Sequence, residues 1–151
     1  MPAPSTVHAS AVLVGARAVL IRGPSGSGKS RLALELMEAG HAGRLRFVRL
    51  VADDRAHLEA IGGRLLARPA ETLAGLIEVR GAGLLRVPHE PSAVVGLVVD
   101  LAAADASRLP DPARRKTEIE GISLPRLAVA PDVAALPALL AVLNSSAEQW
   151  I

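Results

Sequence analysis

One glycine-rich segment has the residue types and the spacing needed to bind phosphate groups. It runs from residue 23 to residue 30 and fits the pattern Gly-x4-Gly-Lys-Ser. Glycines let successive backbone N–H groups point at phosphate oxygens, the lysine reaches the β- and γ-phosphates, and the serine hydroxyl binds Mg²⁺. We therefore expect ATP to bind at Gly23, Pro24, Ser25, Gly26, Ser27, Gly28, Lys29 and Ser30, with Ser30 also a metal ligand.

Two predicted elements position this loop. Ala9–Val14 and Arg17–Ile21 are apolar runs separated by Gly15 and Ala16, which predicts a β-hairpin that leads straight into the loop. After the loop, apolar residues recur with helical spacing up to Gly40, which predicts an amphipathic helix ended by that glycine. The glycine-rich segment therefore stands between a strand and a helix, as phosphate binding requires.

The rest of the sequence predicts more strands than helices. A strand is expected at Val48–Ala52, and glycine turns predict two further hairpins. The near-continuous apolar run Ala93–Leu101 predicts a buried strand. The remaining expectations are hairpins at 56–67 and 76–87, an exposed loop at 104–116, a strand at 117–129 and a helix at Val133–Leu143. The predicted fold class is α/β, a P-loop-containing mixed sheet with β-hairpins, forming a single domain over residues 1–151.

Acidic residues at strand ends supply candidates for the remaining chemistry. A phosphoryl transferase needs a second acidic metal contact and a group that orients the nucleophile. Asp53 and Asp54 follow one predicted strand, Glu78 lies in another, and Asp100 ends a third like a generic Walker B acid. Adjacent carboxylates repel each other and proton uptake relieves that repulsion, so the Asp53–Asp54 pair suits a proton acceptor. A turn or helix cap is the alternative interpretation of the pair.

Composition excludes several classes of protein. Half of the residues are hydrophobic but Phe47 and Trp150 are the only large aromatics, so the core must be aliphatic. The net charge of +2 and the missing aromatic surface argue against nucleic-acid binding. Zero cysteine excludes disulfide and thiolate-metal sites. With neither a secretory signal pattern nor an apolar run of membrane-spanning length, we expect a cytoplasmic protein that does not enter a membrane.

Four motifs in this order resemble the catalytic domain of HPr kinase/phosphorylase. They are Val-His-Ala-Ser at 7–10, the glycine-rich loop, Leu-Val-Ala-Asp-Asp-Arg at 50–55 and Leu-Ile-Glu-Val-Arg-Gly-Ala-Gly-Leu-Leu at 76–85. The last block is the most specific, and residues 88–151 match loosely. The resemblance implies the short form of the family, with the catalytic domain only, and an ATP- and Mg²⁺-dependent serine kinase of an HPr-type phosphocarrier in a phosphotransferase system.

The resemblance also implies roles for individual residues. Asp53 would be the catalytic base, and the acid in the reverse direction, with Asp54, His8 and Lys29 as the other catalytic residues. Ser30 and Glu78 would hold Mg²⁺. The phosphorylase segment of the family is not plainly present, and Leu-Pro-Arg-Leu at 124–127, with Arg126, is its possible reduced counterpart. Family members are hexamers, so a homo-oligomer is expected.

Two alternatives remain open at the level of sequence. One is another P-loop NTPase or small-molecule kinase that uses Asp100 as its metal contact. The other is a regulatory module that senses ATP and binds partner proteins without transferring phosphate. Retention of both Asp53 and Glu78 favours catalysis, because a sensor needs neither.

Overall fold

Eleven strands and two α-helices make up the computed structural model, which describes residues 6–145. The first part of the chain forms three strands, the helix that follows the glycine-rich loop, and then further strands. In chain order the elements are β1 (Thr6–Val7), β2 (Ala9–Val14), β3 (Arg17–Arg22), α1 (Lys29–His41), β4 (Val48–Ala52), β5 (Ala56–Ile61), β6 (Arg64–Pro69), β7 (Leu76–Val79), β8 (Gly83–Arg86), β9 (Ala93–Asp100), β10 (Lys116–Ile119), β11 (Ile122–Ala128) and α2 (Leu136–Leu143).

Strand β9 is the centre of a nine-stranded mixed sheet. The strand order is β1-β5-β6-β9-β3-β2-β4, and β11, which pairs with β10, also pairs with β9. Both β3 and β11 run parallel to β9, with Arg22 opposite Asp100 in the first pair and Ala128 opposite Asp100 in the second. Strand β2 is antiparallel to both β3 and β4. The carboxyl ends of β3, β4, β9 and β11 therefore lie at one edge of the sheet, where α/β proteins place their sites.

The core consists of aliphatic side chains on both faces of the sheet. Helices α1 and α2 cover one face, where Leu32, Leu36 and Leu139 are almost fully buried. Strands β5, β6 and β11 enclose the other face around Leu20 and Leu65. The prediction of an aliphatic core is therefore confirmed. Within residues 6–145 no helix combines the length and the hydropathy needed to span a membrane.

The structure confirms the predicted hairpins and corrects one helix boundary. The three hairpins lie where the glycine turns indicated them, at β2–β3, β5–β6 and β7–β8. Gly40 is the next-to-last residue of the first helix, which ends at His41. A Cβ atom at Gly40 would stand 2.7 Å from Cγ2 of Val48, so the glycine allows α1 to pack closely on β4. Its role is packing, not termination.

Three predictions for the last third of the chain were too coarse. The single strand expected at 117–129 is a hairpin of β10 and β11, because Glu120 and Gly121 both take positive φ and form a turn. The helix expected from Val133 begins at Leu136, after a turn in which Asp132 has a φ of 63°. The loop expected at 104–116 contains a short 3-10 helix, Pro112–Arg115.

Candidate functional site

The glycine-rich loop joins β3 to α1 at the carboxyl edge of the sheet. Gly28 precedes the first turn of α1 with a φ of 99°, a left-handed conformation that favours glycine. At Gly23 a Cβ atom would stand 2.5 Å from Oγ of Ser27 and 3.1 Å from Cβ of Leu101, so a side chain does not fit there. Between them Pro24, Ser25 and Gly26 are exposed. The loop is therefore closely packed at its base and open to solvent at its tip.

Lys29 is folded against the loop. Its Nζ donates hydrogen bonds to the carbonyl oxygens of Gly23 and Pro24, at 2.9 and 3.2 Å. The residue is 7% exposed, so its charge is held inside the curve of the loop instead of extending into solvent. A cation at this position, together with the N-terminus of α1, creates a positive environment for an anion.

The carboxylate of Asp53 accepts three hydrogen bonds within the site. Its Oδ1 accepts hydrogen bonds from the hydroxyls of Ser30, at 2.7 Å, and Ser10, at 2.9 Å. Its Oδ2 accepts one from the backbone N–H of Glu78, at 3.0 Å. The residue is 7% exposed and follows β4 directly. Three donors from three separate elements fix this carboxylate beside the last residue of the phosphate loop.

Asp54 and His8, two of the other predicted catalytic residues, are both exposed. Asp54 has a φ of 65°, in the left-handed region of backbone conformation. Its backbone N–H donates to Oγ of Ser10 at 3.1 Å, and its carbonyl accepts from the N–H of Ala9 at 3.2 Å. His8 precedes Ala9 in the bend between β1 and β2, so the backbone brings His8 and Asp54 together. Within residues 6–145 the His8 side chain makes no hydrogen bond.

Glu78 contributes its backbone to the site, and its side chain is exposed. It belongs to the β7–β8 hairpin, a two-stranded sheet beside the main one. Residues 6–145 include no cluster of three or more His, Asp or Glu side chains placed to hold a metal ion. A magnesium ion here would therefore need oxygen atoms of a bound nucleotide in addition to protein ligands. The hydroxyl of Ser30 and the carboxylates of Asp53 and Glu78 are hard oxygen donors of the kind that Mg²⁺ prefers.

Asp100 is engaged by two arginines. Arg22 Nε and Nη2 donate to its two carboxylate oxygens at 2.7 and 2.8 Å, and Arg126 Nε donates to Oδ2. Arg126 also makes a two-point contact with Asp105, at 2.7 and 3.0 Å. The ion pairs therefore form a continuous series, Arg22–Asp100–Arg126–Asp105, near the ends of β3, β9 and β11. Asp100 makes no hydrogen bond to the phosphate loop, whose serine contacts Asp53 instead.

Three members of this series of ion pairs, Asp100, Asp105 and Arg126, have shifted pKa values. Burial of the Asp100 carboxyl raises its pKa, but hydrogen bonds and charge from Arg22 and Arg126 outweigh burial, so the pKa is lowered overall. The hydrogen bond from Arg126 likewise lowers the pKa of Asp105. The hydrogen bond to Asp105 is the largest cause that raises the pKa of Arg126. Asp100, Asp105 and Arg126 are therefore charged near neutral pH.

Two features of the site were not predicted from the sequence. Ser10 lies fully buried in β2 and links Asp53 to the backbone of Asp54. A serine in the apolar run Ala9–Val14 is the signal that points to it, because a buried hydroxyl needs hydrogen-bond partners. The pairing of Asp100 with Arg22 and Arg126 carried no sequence signal, because it depends on the register between β3, β9 and β11.

Comparison with known proteins gives consistent results. The sequence model of the HPr serine kinase C-terminal domain matches residues 1–133. HPr kinase/phosphorylase of Streptococcus thermophilus is 35% identical over 136 residues, which cover 83% of this chain and 42% of that protein. HPr kinase/phosphorylase of Clostridium perfringens is 43% identical over 96 residues, which cover 63% of this chain and 28% of that protein.

A solved structure shows the same fold. The Hpr(Ser) kinase/phosphatase from Coxiella burnetii superimposes with a TM-score of 0.72 and 27% sequence identity, covering 92% of this chain and 93% of that one. The chain spans less than half of the length of the curated relatives named above. The family match extends over most of the sequence and includes the phosphate loop, the aspartate pair and Glu78. The chain therefore belongs to the HPr serine kinase C-terminal domain family.

Proposed function

We propose that this chain is the catalytic domain, over residues 1–151, of an ATP- and Mg²⁺-dependent protein-serine kinase that acts on an HPr-type phosphocarrier of a phosphotransferase system. The observation that carries the proposal is the 2.7 Å contact between Oγ of Ser30 and Oδ1 of Asp53. It joins the end of the phosphate loop to a buried carboxylate that has no role in the hydrophobic core. Family membership supports the kinase activity and the phosphocarrier substrate.

The phosphate loop, Gly23–Ser30, binds ATP in this proposal. Lys29 releases the carbonyls of Gly23 and Pro24 and turns to the β- and γ-phosphates, where its charge stabilises the transition state. Ser30 and Glu78 are the residues that would hold Mg²⁺. When bound, the ion would neutralise charge on the phosphate oxygens.

Asp53 is the catalytic base of the proposed reaction. The seryl oxygen of the phosphocarrier attacks the γ-phosphorus, the bond from that phosphorus to the bridging oxygen of ADP breaks, and the seryl proton passes to Asp53. The hydrogen bonds from Ser10, Ser30 and the N–H of Glu78 fix the orientation of this carboxylate. A fixed orientation lowers the reorganisation needed in the transition state. Asp54 and His8 stand on the exposed side, where the phosphocarrier would approach.

The same groups can serve the reverse direction. Inorganic phosphate would attack the phosphorus of phosphoserine, pyrophosphate would leave with that phosphorus, and protonated Asp53 would return its proton to the seryl oxygen. Arg126 lies in the segment that the sequence suggests as the reduced counterpart of the family's phosphorylase segment. Its guanidinium donates to Asp100 and Asp105, so recruitment of Arg126 would require it to break ion pairs. The kinase direction is therefore the better supported of the two.

The alternative NTPase or small-molecule kinase that uses Asp100 is less well supported. Both carboxylate oxygens of Asp100 accept hydrogen bonds from arginines, which leaves this group poorly suited to bind a metal ion. An ATP-sensing module without transfer would have no need for the three donors around Asp53. We further propose that the protein acts in the cytoplasm, where ATP is available, as a homo-oligomer without nucleic-acid or membrane partners.

Phosphate transfer from labelled ATP tests the proposal. The wild-type chain, with Mg²⁺ and HPr-type phosphocarriers, should place an acid-stable label on a phosphocarrier serine. Asp53→Asn should reduce transfer by about a thousandfold, the range of an oriented general base, while ATP affinity measured by nucleotide fluorescence changes little. Asp111→Asn, at an exposed aspartate, is the matched control and should transfer normally. Full transfer by Asp53→Asn would remove Asp53 from the mechanism, and absence of label with the wild-type chain would refute the proposed function.

A further inference from the structure

The β7–β8 hairpin carries apolar side chains that the fold does not cover. All four residues of β8 are exposed, and Leu84 and Leu85 are 64% and 42% exposed. Neighbouring residues of a strand point to opposite faces, so the hairpin is apolar on both sides at its outer strand. Surface leucines are common singly, but two in succession on an exposed edge strand are a feature that proteins ordinarily avoid unless a partner binds there.

The β7–β8 hairpin is anchored in the core and contacts the candidate site directly. Ile77 of β7 is fully buried in the core cluster that also contains α1. The next residue, Glu78, donates its N–H to Asp53 and pairs in register with Leu84. Leu84 is therefore the cross-strand neighbour of the residue whose N–H binds Asp53, the proposed catalytic base. A protein whose serine reaches Asp53 would come within reach of the hairpin.

The charges around the leucines are mainly positive. Arg80 and Arg86 flank them, and Arg55 is exposed directly after Asp54. Within residues 6–145 neither Arg80 nor Arg86 forms an ion pair, although Glu78 lies on the same hairpin. Acidic side chains on a partner would therefore be attracted to the rim of this surface.

We propose that the β7–β8 hairpin is the docking surface for the protein substrate, which packs an apolar patch beside its acceptor serine against Leu84 and Leu85 and places acidic residues near Arg80 and Arg86. The proposal rests on the proposed function, because it assumes a protein acceptor. A second copy of the chain is the competing occupant. A two-fold contact between identical hairpins would bring Arg80 and Arg86 against the same arginines, and this repulsion favours a different, acidic partner.

Steady-state kinetics with HPr as the acceptor test the docking surface. The double variant Leu84→Ser/Leu85→Ser should raise KM for HPr by about tenfold or more, the effect of losing apolar anchors, while KM for ATP and kcat at saturating HPr stay within twofold. Ile61→Ser, at a residue 53% exposed beside the turn of the β5–β6 hairpin, is the matched control and should leave KM for HPr unchanged. An unchanged KM for HPr in the double variant would overturn the proposal.

Sedimentation and charge reversal separate the competing explanations. If the double variant changes the oligomeric mass of the protein, the hairpin binds a second copy and the proposal is wrong. Arg86→Glu should also raise KM for HPr and reduce its dependence on salt, whereas Arg64→Glu on β6 should do neither. All of these comparisons require a wild-type chain that phosphorylates HPr. Failure of that reaction refutes the proposed function, while normal transfer with unaffected variants refutes the docking surface alone.

Discussion

The hydroxyl of Ser10 lies 2.9 Å from Oδ1 of Asp53, although the two residues are 43 positions apart in the chain. The hydroxyl oxygen of Ser10 also accepts a hydrogen bond from the backbone N–H of Asp54, at 3.1 Å. One buried side chain on β2 therefore sets both the carboxylate of the first aspartate and the backbone of the second. Because Ser10 is inaccessible to solvent, it influences the site without contacting a substrate.

Replacement of Ser10 by alanine should impair transfer without affecting nucleotide binding. The variant removes one of the three hydrogen-bond donors to Asp53 and leaves the N–H of Asp54 without its acceptor. Each lost hydrogen bond costs about 1–2 kcal/mol of stabilisation of this arrangement. We expect kcat to fall about tenfold and ATP affinity to change less than twofold. Ser123→Ala, at an exposed serine on β11, should behave as wild type in the same assays. A normal kcat for Ser10→Ala would show that Ser30 and Glu78 hold Asp53 unaided.

Lys29 should discriminate between nucleotides by their phosphate number. Lys29→Met removes the ammonium that must leave the carbonyls of Gly23 and Pro24 to reach the β- and γ-phosphates. ATP affinity should fall by about thirtyfold, the equivalent of one charge-assisted hydrogen bond, while AMP affinity changes little. Lys116→Met is the matched control, because Lys116 is exposed and is the one other lysine of the sequence. It should leave both nucleotide affinities unchanged. Equal losses for ATP and AMP would contradict the assigned contact.

Gly40 should tolerate alanine only if its neighbour becomes smaller. Within a helix, Gly→Ala ordinarily stabilises by up to about 1 kcal/mol, and Gly40 lies in the last turn of α1. Here the new Cβ would stand 2.7 Å from Cγ2 and 2.8 Å from Cβ of Val48, so Gly40→Ala should instead lower the free energy of unfolding by about 1–3 kcal/mol. In a Val48→Ala background the same change should be less harmful. Chemical denaturation of the four proteins measures the coupling, and additive effects would exclude the steric explanation.

Asp100 should stabilise the fold in a pH-dependent way. Asp100→Asn removes the shared counter-charge of Arg22 and Arg126, which should lower the free energy of unfolding by about 2 kcal/mol at pH 7. The pKa of Asp100 is lowered in the folded protein, so this contribution is complete above the ordinary carboxyl pKa of 3.8 and is lost as the pH falls below it.

Urea denaturation at several pH values measures this dependence. The difference in stability between wild type and Asp100→Asn should be constant from pH 7 to pH 5 and should shrink below about pH 4. Asp111→Asn, at an exposed aspartate outside the series of ion pairs, should show no such trend. A difference that grows on acidification would mean that the arginines are not the cause of the lowered pKa.

Local patterns in the sequence predicted the parts of the fold that local chemistry determines. Glycine turns located the β2–β3, β5–β6 and β7–β8 hairpins, and the loop at Gly23–Ser30 located α1. The hairpin of β10 and β11 was missed because its turn uses Glu120 at positive φ, where a non-glycine residue gives a weak signal. The glycine inside α1 was misread as a helix end, because the close approach of Val48 is a tertiary contact.

The candidate site divides in the same way. The acidic residues were recognised from their positions after strands, and the structure places Asp53 beside Ser30. The pairing of strands brings Ser10 to Asp53 and Arg22 to Asp100, and neither contact has a signature in a single sequence. Partners that depend on register therefore required the structure.

Glu78 supports Asp53 through a backbone N–H, which every amino acid except proline provides. The geometry of Asp53 is therefore insensitive to the identity of the side chain at position 78. Substitutions at position 78 can therefore separate the role of the Glu78 carboxylate from the role of its backbone N–H. Glu78→Gln and Glu78→Ala keep the donor, so they report on what the exposed carboxylate itself does. Glu78→Pro would remove the N–H as well as the carboxylate, so its difference from Glu78→Ala would report on the hydrogen bond to Asp53.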